Sequence, residues 1–471
     1  MNPITIPNIS IPTIGIPTIG IPSVGFPSAS GGGGLSWPAG MKEHIKAWYD
    51  PKKQGMTNFD VIEAYVEDFT NWNYVKARGV VTISQHKFII TECILNGLGI
   101  VEDIQEPYSN LTVRITGITD NQEVLITDYF NGQHQIINTI TEDGIYTIED
   151  RHHFVGFGCN FVGTCNITIE QLPTSILKDF SGNGNHAYLY GGKGRLNSGM
   201  GVYQQDFSKL IISRVDKKQD PFSFTVSGSG GSYLAYMQLG NWNNKAFKIL
   251  ANINAKGDYL YLRFRNSTDA VITSVMLKNG ENIIPAQNIE GATKAVFEYS
   301  LKEGESITIT QIPDYPDQLC YDGKMYAVCY GFPILTDYTV MAERTWFIEQ
   351  LSNYIGVLSS NAYSGYTEER GFVFEYNSEN NKVQNNSFGV NNLNTRHQDG
   401  ISYMTKTLYN GNLINSGDLK GVDFLTIGAF VDKDTLNGSY NWKGCHGAII
   451  VADRSFTEEE INWLKQNWDK I

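Results

Sequence analysis

The sequence predicts an all-β protein in which two related β-sandwich modules are inserted into a discontinuous third sandwich. Three observations predict it. Short Val/Ile/Thr/Tyr/Phe runs are separated throughout by Asn/Asp/Gly clusters, the punctuation of antiparallel sheets. A long stretch of the chain repeats itself at a nearly constant offset. Ahead of both lies an Ile-Pro repeat that no helix or central strand accommodates.

That repeat comes first in the chain. An apolar-Pro pair recurs every five residues, at Ile6-Pro7, Ile11-Pro12, Ile16-Pro17, Ile21-Pro22 and Phe26-Pro27, and Gly31 to Gly34 follow as a hinge. Proline fixes its own φ and pushes the preceding residue to extended geometry. Bulky apolar residues at regular spacing point to matching pockets on a partner, not to a polar disordered tail. Residues 1–34 are therefore expected to anchor the chain by lying extended on another protein.

The internal repeat comes next. Tyr65-Val-Glu-Asp68-Phe69-Thr70 returns as Tyr203-Gln-Gln-Asp206-Phe207-Ser208, Asp143-Gly144 as Asn279-Gly280, and Ile167-Thr-Ile-Glu-Gln171-Leu-Pro173 as Ile307-Thr-Ile-Thr-Gln311-Ile-Pro313. Tyr190-Gly191 and Tyr330-Gly331 extend the series. Within the copies, Leu111-Thr-Val-Arg-Ile-Thr and Tyr259-Leu-Tyr-Leu-Arg-Phe alternate apolar and polar, the period of half-buried strands. The copies are placed at 58–173 and 198–315, each as a sandwich of seven or eight strands. The remaining segments, 35–57, 174–197 and 316–471, form the discontinuous body, with a helix expected from Glu343 to Ile355 on the spacing of Phe347, Leu351 and Ile355.

Two segments of the body carry a family signature. Asp179, Ser181, Gly182, Asn183, Gly184 and Asn185 form a "D-x-S-G-N-G-N" turn. The chain closes on Gly447, Ile449, Asp453, Arg454, Phe456, Thr457, Glu459, Glu460 and Ile461, a strand followed by a helix with a capping box at Thr457 and Glu460. Together they resemble the laminin-G-like, concanavalin-type jelly rolls. That family implies a fold and no single activity, because glycosidases, lectins and structural proteins share it. The layout as a whole, with Trp48-Tyr49-Asp50-Pro51-Lys52-Lys53-Gln54-Gly55 ahead of an inserted sandwich and the Leu177-Lys-Asp-Phe-Ser-Gly-Asn-Gly turn after it, is similar to structural proteins of crAss-like bacteriophages of gut Bacteroidales. That resemblance implies a head fibre at the virion surface, made in the host cytoplasm and attached to capsid or other virion proteins, with a homotrimer as its state. A tail fibre or receptor-binding protein is the alternative, and a bacterial surface adhesin or a glycosidase on the same fold are the others.

Composition excludes several classes. The net charge of −13 argues against nucleic acid, which is held by Lys and Arg. No segment is apolar enough to span a bilayer, and the opening residues lack the basic-then-apolar pattern of a signal peptide. Cys93, Cys159, Cys165, Cys320, Cys329 and Cys445 are far apart with no CxxC pair, and are read as reduced, mostly buried thiols. No catalytic residue, metal site or cofactor is expected. The Glu-x-Asp-x-x-Glu strand of glycosidases on this fold is missing, His152-His153 have no completing ligands nearby, and the Asp179–Asn185 turn lacks the carboxylate density of a calcium loop. Trp72, Tyr74, Trp242, Tyr259 and Tyr261 are the candidate stacking faces for sugar rings, set against their use in core packing.

Overall fold

A computed structural model describes residues 35–102, 110–130, 133–149, 155–192, 196–213, 216–228, 231–256, 259–286, 288–347, 355–362, 370–377, 383–384, 390–391, 399–414, 422–431, 438–439 and 441–471. The Ile-Pro repeat and His152-His153 lie outside them. The described chain is almost wholly antiparallel sheet, arranged as three sandwiches.

The central sandwich is assembled from distant segments. One sheet runs Gly199–Met200, Leu319–Asp322, Lys443–Ala452, Thr339–Trp346, Gly400–Thr405, Leu408–Tyr409, Asn412–Leu413, and the N-terminal strand Ile45–Tyr49 also pairs with Lys443–Ala452. The facing sheet runs Ile176–Leu177, Ala187–Tyr190, Tyr326–Tyr330, Phe424–Ile427, Ile355–Ala362, Arg370–Asn377. Tyr49, Leu189, Tyr321, Phe374 and Trp442 fill the space between. Lys443–Ala452 is buried along nearly its whole length, because sheet neighbours flank it and helix Glu458–Asn467 covers its outer face. Ile461, Leu464 and Trp468 supply that cover against Ile45, Trp48 and Ile450. Thr457 and Glu460 close a capping box at the helix start, and Arg454 grips both Glu460 oxygens at 2.8 and 2.6 Å.

The Asp179–Asn185 turn locks the N-terminal strand in place. The Asp179 carboxylate accepts hydrogen bonds from the backbone N–H groups of Trp48 (2.9 Å), Ser181 (2.8 Å) and Asn185 (3.0 Å) and from the Ser181 hydroxyl (2.7 Å). Asn183 and Asn185 donate side-chain N–H to the carbonyls of Ile45 and Lys46 at 2.8 and 2.7 Å. The motif thus supplies partners to backbone groups along the open edge of the strand, which among the described strands pairs in the sheet only with Lys443–Ala452.

Each insert consists of two five-stranded sheets, more strands than the seven or eight expected. In the first, Asn73–Tyr74, Gly97–Glu102, Val155–Cys159, Val124–Phe130 and Gln133–Ile140 face Gly79–Ser84, Lys87–Cys93, Gly163–Gln171, Leu111–Thr116 and Gly144–Ile148. In the second, Ile211–Ile212, Gly231–Gln238, Lys294–Leu301, Tyr259–Arg265 and Val271–Lys278 face Asp216–Gln219, Ser223–Ser227, Ser306–Ile312, Phe247–Asn254 and Gly280–Ile284. Strand for strand the two orders are the same. The repeated residues explain why. Asp68 and Asp206 each cap a short 3-10 turn, accepting from Thr70 and Ser208 N–H. Phe69 and Phe207 sit fully buried above Phe88–Phe157 and Phe224–Phe297. Gln171 and Gln311 clamp the incoming chain through its backbone at Glu67 and Gln205. Asp143 and Asn279 tie a hairpin turn to the neighbouring loop or strand, accepting from Ile118 and Ile253 N–H.

Four expectations are corrected. Glu343 to Trp346 end a strand and Ile355 begins another, so no helix runs from 343 to 355; residues 348–354 lie outside the described ones. Cys93–Cys159 and Cys320–Cys445 are disulfides, leaving Cys165 and Cys329 as thiols. The first disulfide joins the two facing sheets of the first insert and the second joins register partners on adjacent strands, so sequence separations of 66 and 125 residues concealed both. The second insert starts later than 198, because Gly199–Met200 pairs with Leu319–Cys320 in the central sheet. Val61, placed in the first insert, packs in the central core.

Candidate functional site

The stacking candidates separate into two groups. Trp72 is buried against Phe69 and Phe157, and Trp242 against Phe247 and Phe264, so their ring faces are spent in the cores of the inserts. These two are corrected to packing residues. Tyr74 is half-buried and its hydroxyl donates to the Gly79 carbonyl at 2.7 Å. Tyr261 is half-buried on the outer face of the second insert, with the Arg263 guanidinium 5.0 Å above its ring. The backbone of Tyr259 lies on the same strand, and its side chain is outside what is described.

None of the five lines a cleft present among the described residues. That cleft, about 770 Å³, opens where the first insert meets the central sandwich. Its first wall is polar and comes from adjacent strands of the insert. Lys87, Glu170 and Arg114 are register partners across three strands, and Thr168 and Thr116 are partners in the next row of the same face. Period two puts all five on the side away from the insert's core. The opposite wall is mainly apolar and aromatic, formed by Val328, Tyr330 and Phe424 on the outer face of the central six-stranded sheet and by Val431 of the short strand Phe430–Val431, with Asp423 also lining it.

Arg114 bridges the walls. Its guanidinium lies 3.6 Å from Glu170 and 4.7 Å over the Tyr330 ring. Burial pushes the Glu170 carboxyl up, and Arg114 and Lys87 pull it back only in part. Tyr330 shares its hydroxyl with that of Tyr190 at 2.9 Å, and Tyr190 stacks on Tyr326. Burial drives the Tyr190 and Tyr330 hydroxyls well above the ordinary phenol range, so both stay protonated and act as fixed hydrogen-bonding groups. Asp143, a second carboxylate at the rim, already accepts the N–H groups of Gly117 and Ile118 at 3.0 and 2.9 Å.

Arg114, Glu170, Tyr330 and Phe424 escaped the sequence reading because the cleft is built from segments more than a hundred residues apart. One signal did bear on it. Tyr190-Gly191 and Tyr330-Gly331 belong to the central sandwich, outside the inserts, and put two tyrosines side by side at the aromatic wall. Gly191 has φ +72°, and a Cβ there would stand 2.5 Å from the Lys324 carbonyl.

No family model and no curated protein matches the sequence. Among solved structures, the secreted serine protease VesC from Vibrio cholerae aligns at 12% identity and TM-score 0.16, over 54% of this chain and 52% of that one. This alignment spans about half the length of that protease, 52%. The Trypanosoma rangeli sialidase in complex with 2,3-difluorosialic acid, a covalent intermediate, aligns at 9% identity and TM-score 0.22, over 83% and 84% of the two chains. At these scores neither carries a functional argument.

Proposed function

We propose that this chain is a non-enzymatic virion surface protein, a head fibre of a crAss-like bacteriophage, that displays its sandwiches to hold glycans of the host or its mucus. The observation that carries the reading is the cleft between the first insert and the central sandwich. One wall offers aromatic and apolar surface and the other offers Thr hydroxyls, a lysine and an arginine–carboxylate pair. A saccharide ring has the same two sides, an apolar C–H face and a rim of hydroxyls. The non-enzymatic part rests on the carboxylates. Of the three carboxylates that line the cleft, Glu170 is ion-paired with Arg114 and Asp143 accepts two backbone N–H groups, so neither is a free nucleophile, and Asp423 stands on the opposite wall. The Ile-Pro repeat of residues 4–27 supplies the attachment to the particle, and trimerisation would multiply its weak individual contacts.

Two arms test the reading. The full-length chain should capture uncharged surface polysaccharide or uncharged mucin oligosaccharides without releasing reducing ends. Thr168→Trp fills the cleft from a half-buried strand position and should lower that capture at least tenfold while the melting curve stays cooperative. Capture unchanged by Thr168→Trp would remove the cleft from the function. In the second arm, Ile11, Ile16 and Ile21 are changed together to Ser. Each pentad gives up an apolar side chain worth roughly 1.5–3 kcal/mol of burial, so the body should fold yet be missing from assembled particles. Normal occupancy of that triple variant on virions would sink the anchoring role.

A further inference from the structure

The two inserts share a scaffold and differ on one outer face, and the difference is chemically specific. Pairing of Phe157 with Ile126 in the first insert corresponds to pairing of Phe297 with Leu262 in the second. Inward, the correspondence is close: Phe88 meets Phe157 at 5.5 Å, and Phe224 meets Phe297 at 5.3 Å. Outward it breaks. Gly158 and Leu125 of the first insert stand where the second has Glu298 and Tyr261, and Gly156 and Thr127 stand where it has Val296 and Arg263. In the first insert this face is closed, with Leu125 3% and Thr127 0% exposed. The scaffold therefore does not require the charged and aromatic groups that the second insert carries there.

Those groups are organised. Glu298 accepts Arg263 Nη1 at 2.6 Å on one oxygen and Arg265 Nε at 2.7 Å on the other, and Arg265 also donates Nη1 to the Asp269 carbonyl at 2.6 Å. Arg265 is thus held from both sides. Among the described residues Arg263 makes one hydrogen bond, through Nη1, and its side chain remains 32% exposed beside the Tyr261 ring. Lys294 pairs with Asp269 and lies 5.3 Å over Tyr236, the neighbour of Arg263 across Val296. Three cations, Arg263, Arg265 and Lys294, stand against two carboxylates, Glu298 and Asp269, so the patch is net positive on a chain of net charge −13.

We infer that this face of the second insert, centred on Arg263 between Tyr236 and Tyr261, binds a sugar bearing a carboxylate. Charge complementarity selects the occupant. A guanidinium fixed by Glu298 through one nitrogen presents its remaining N–H groups as a planar fork, which bonds the two oxygens of a carboxylate more strongly than it bonds a neutral hydroxyl pair. The flanking tyrosine rings suit the apolar face of a pyranose. The inference extends the glycan-holding reading to a surface separate from the cleft, and the two fail separately.

The test uses the full-length chain and a panel of glucuronate-, galacturonate- and sialate-bearing oligosaccharides, each beside its methyl ester, followed by calorimetry. At least one acid should bind, its ester at least tenfold more weakly, with affinity falling as salt rises. Arg263→Ala should lose the acid binding at least tenfold, and Arg263→Lys, which keeps the charge and loses the fork, should lose several-fold. Thr168→Trp in the cleft should leave it unchanged. No binding of any acid at millimolar concentration, equal binding of acid and ester, or indifference to Arg263→Ala would each overturn the inference. Loss on Thr168→Trp with none on Arg263→Ala would assign the acidic sugar to the cleft and overturn it as well.

Discussion

His446 lies fully buried beside Tyr321 and Trp442, with the Tyr321 hydroxyl 3.1 Å from Nε2 and the Gly447 carbonyl 2.7 Å from Nδ1. Burial lowers its pKa from 6.5 to about 4, so the native state holds the neutral ring and the unfolded chain takes up the proton first. A depressed base stabilises above its unfolded pKa. The contribution is present at neutral pH and is lost as pH falls from about 6.5 towards about 4, on the order of 3 kcal/mol in all. Glu170 works in the opposite sense, because its raised folded pKa favours the native state at low pH and that share fades as pH rises through it. The difference between the parent chain and His446→Gln isolates the histidine. In urea titrations the parent should lose about that much stability between pH 7 and pH 4 relative to the variant. Parallel pH profiles would mean that the ring titrates normally and is not sealed.

At the scale of strands and helices, legibility followed locality. The closing helix, its capping box and its apolar face were readable because every contact that defines them lies within a few residues. The inserts were readable because a duplicated sequence reports its own long-range order: Asp68 with Asp206 and Gln171 with Gln311 do the same backbone work in each copy. The expected 343–355 helix failed for the converse reason. Thr339–Trp346 is a central strand between Gly400–Thr405 and Lys443–Ala452, buried on both faces, so its apolar residues show no period-two alternation to distinguish it. The disulfides and the cleft were hidden together. Cys93 meets Cys159, and Arg114 meets Tyr330, only after sheets fold onto one another. Among the stacking candidates Trp72 and Trp242 were misassigned because an indole reads the same in a core as on a surface, and only burial separates them.

The whole molecule is one sandwich interrupted twice at places where the chain leaves and returns side by side. At the first insert, Thr174 N–H donates to the Ala64 carbonyl at 2.9 Å and the Ser175 hydroxyl to the Ile62 carbonyl at 2.6 Å. At the second, Gly199 and Met200 pair with Cys320 and Leu319, Gly201 N–H donates to the Gln318 carbonyl at 2.9 Å, and Asp314 N–H to the Val202 carbonyl at 3.0 Å. The ends of each excursion are hydrogen-bonded neighbours, and the core of the second insert, from Phe207 to Ile309, is built from its own residues. Loop closure over such an insert costs only slowly more with its length, so the central sandwich has little stake in what is inserted. Replacing Val202–Asp317 by Asn-Gly, a two-residue hairpin turn that joins antiparallel neighbours, should therefore leave the central sandwich and first insert folded. The shortened chain should melt cooperatively, keep the saccharide capture that depends on Thr168, and lose all binding of carboxylated sugars, since Arg263 and its tyrosines leave with the insert. A chain that aggregates or unfolds without cooperativity would show that the second insert supports the body, and the three sandwiches would then have to be treated as one folding unit.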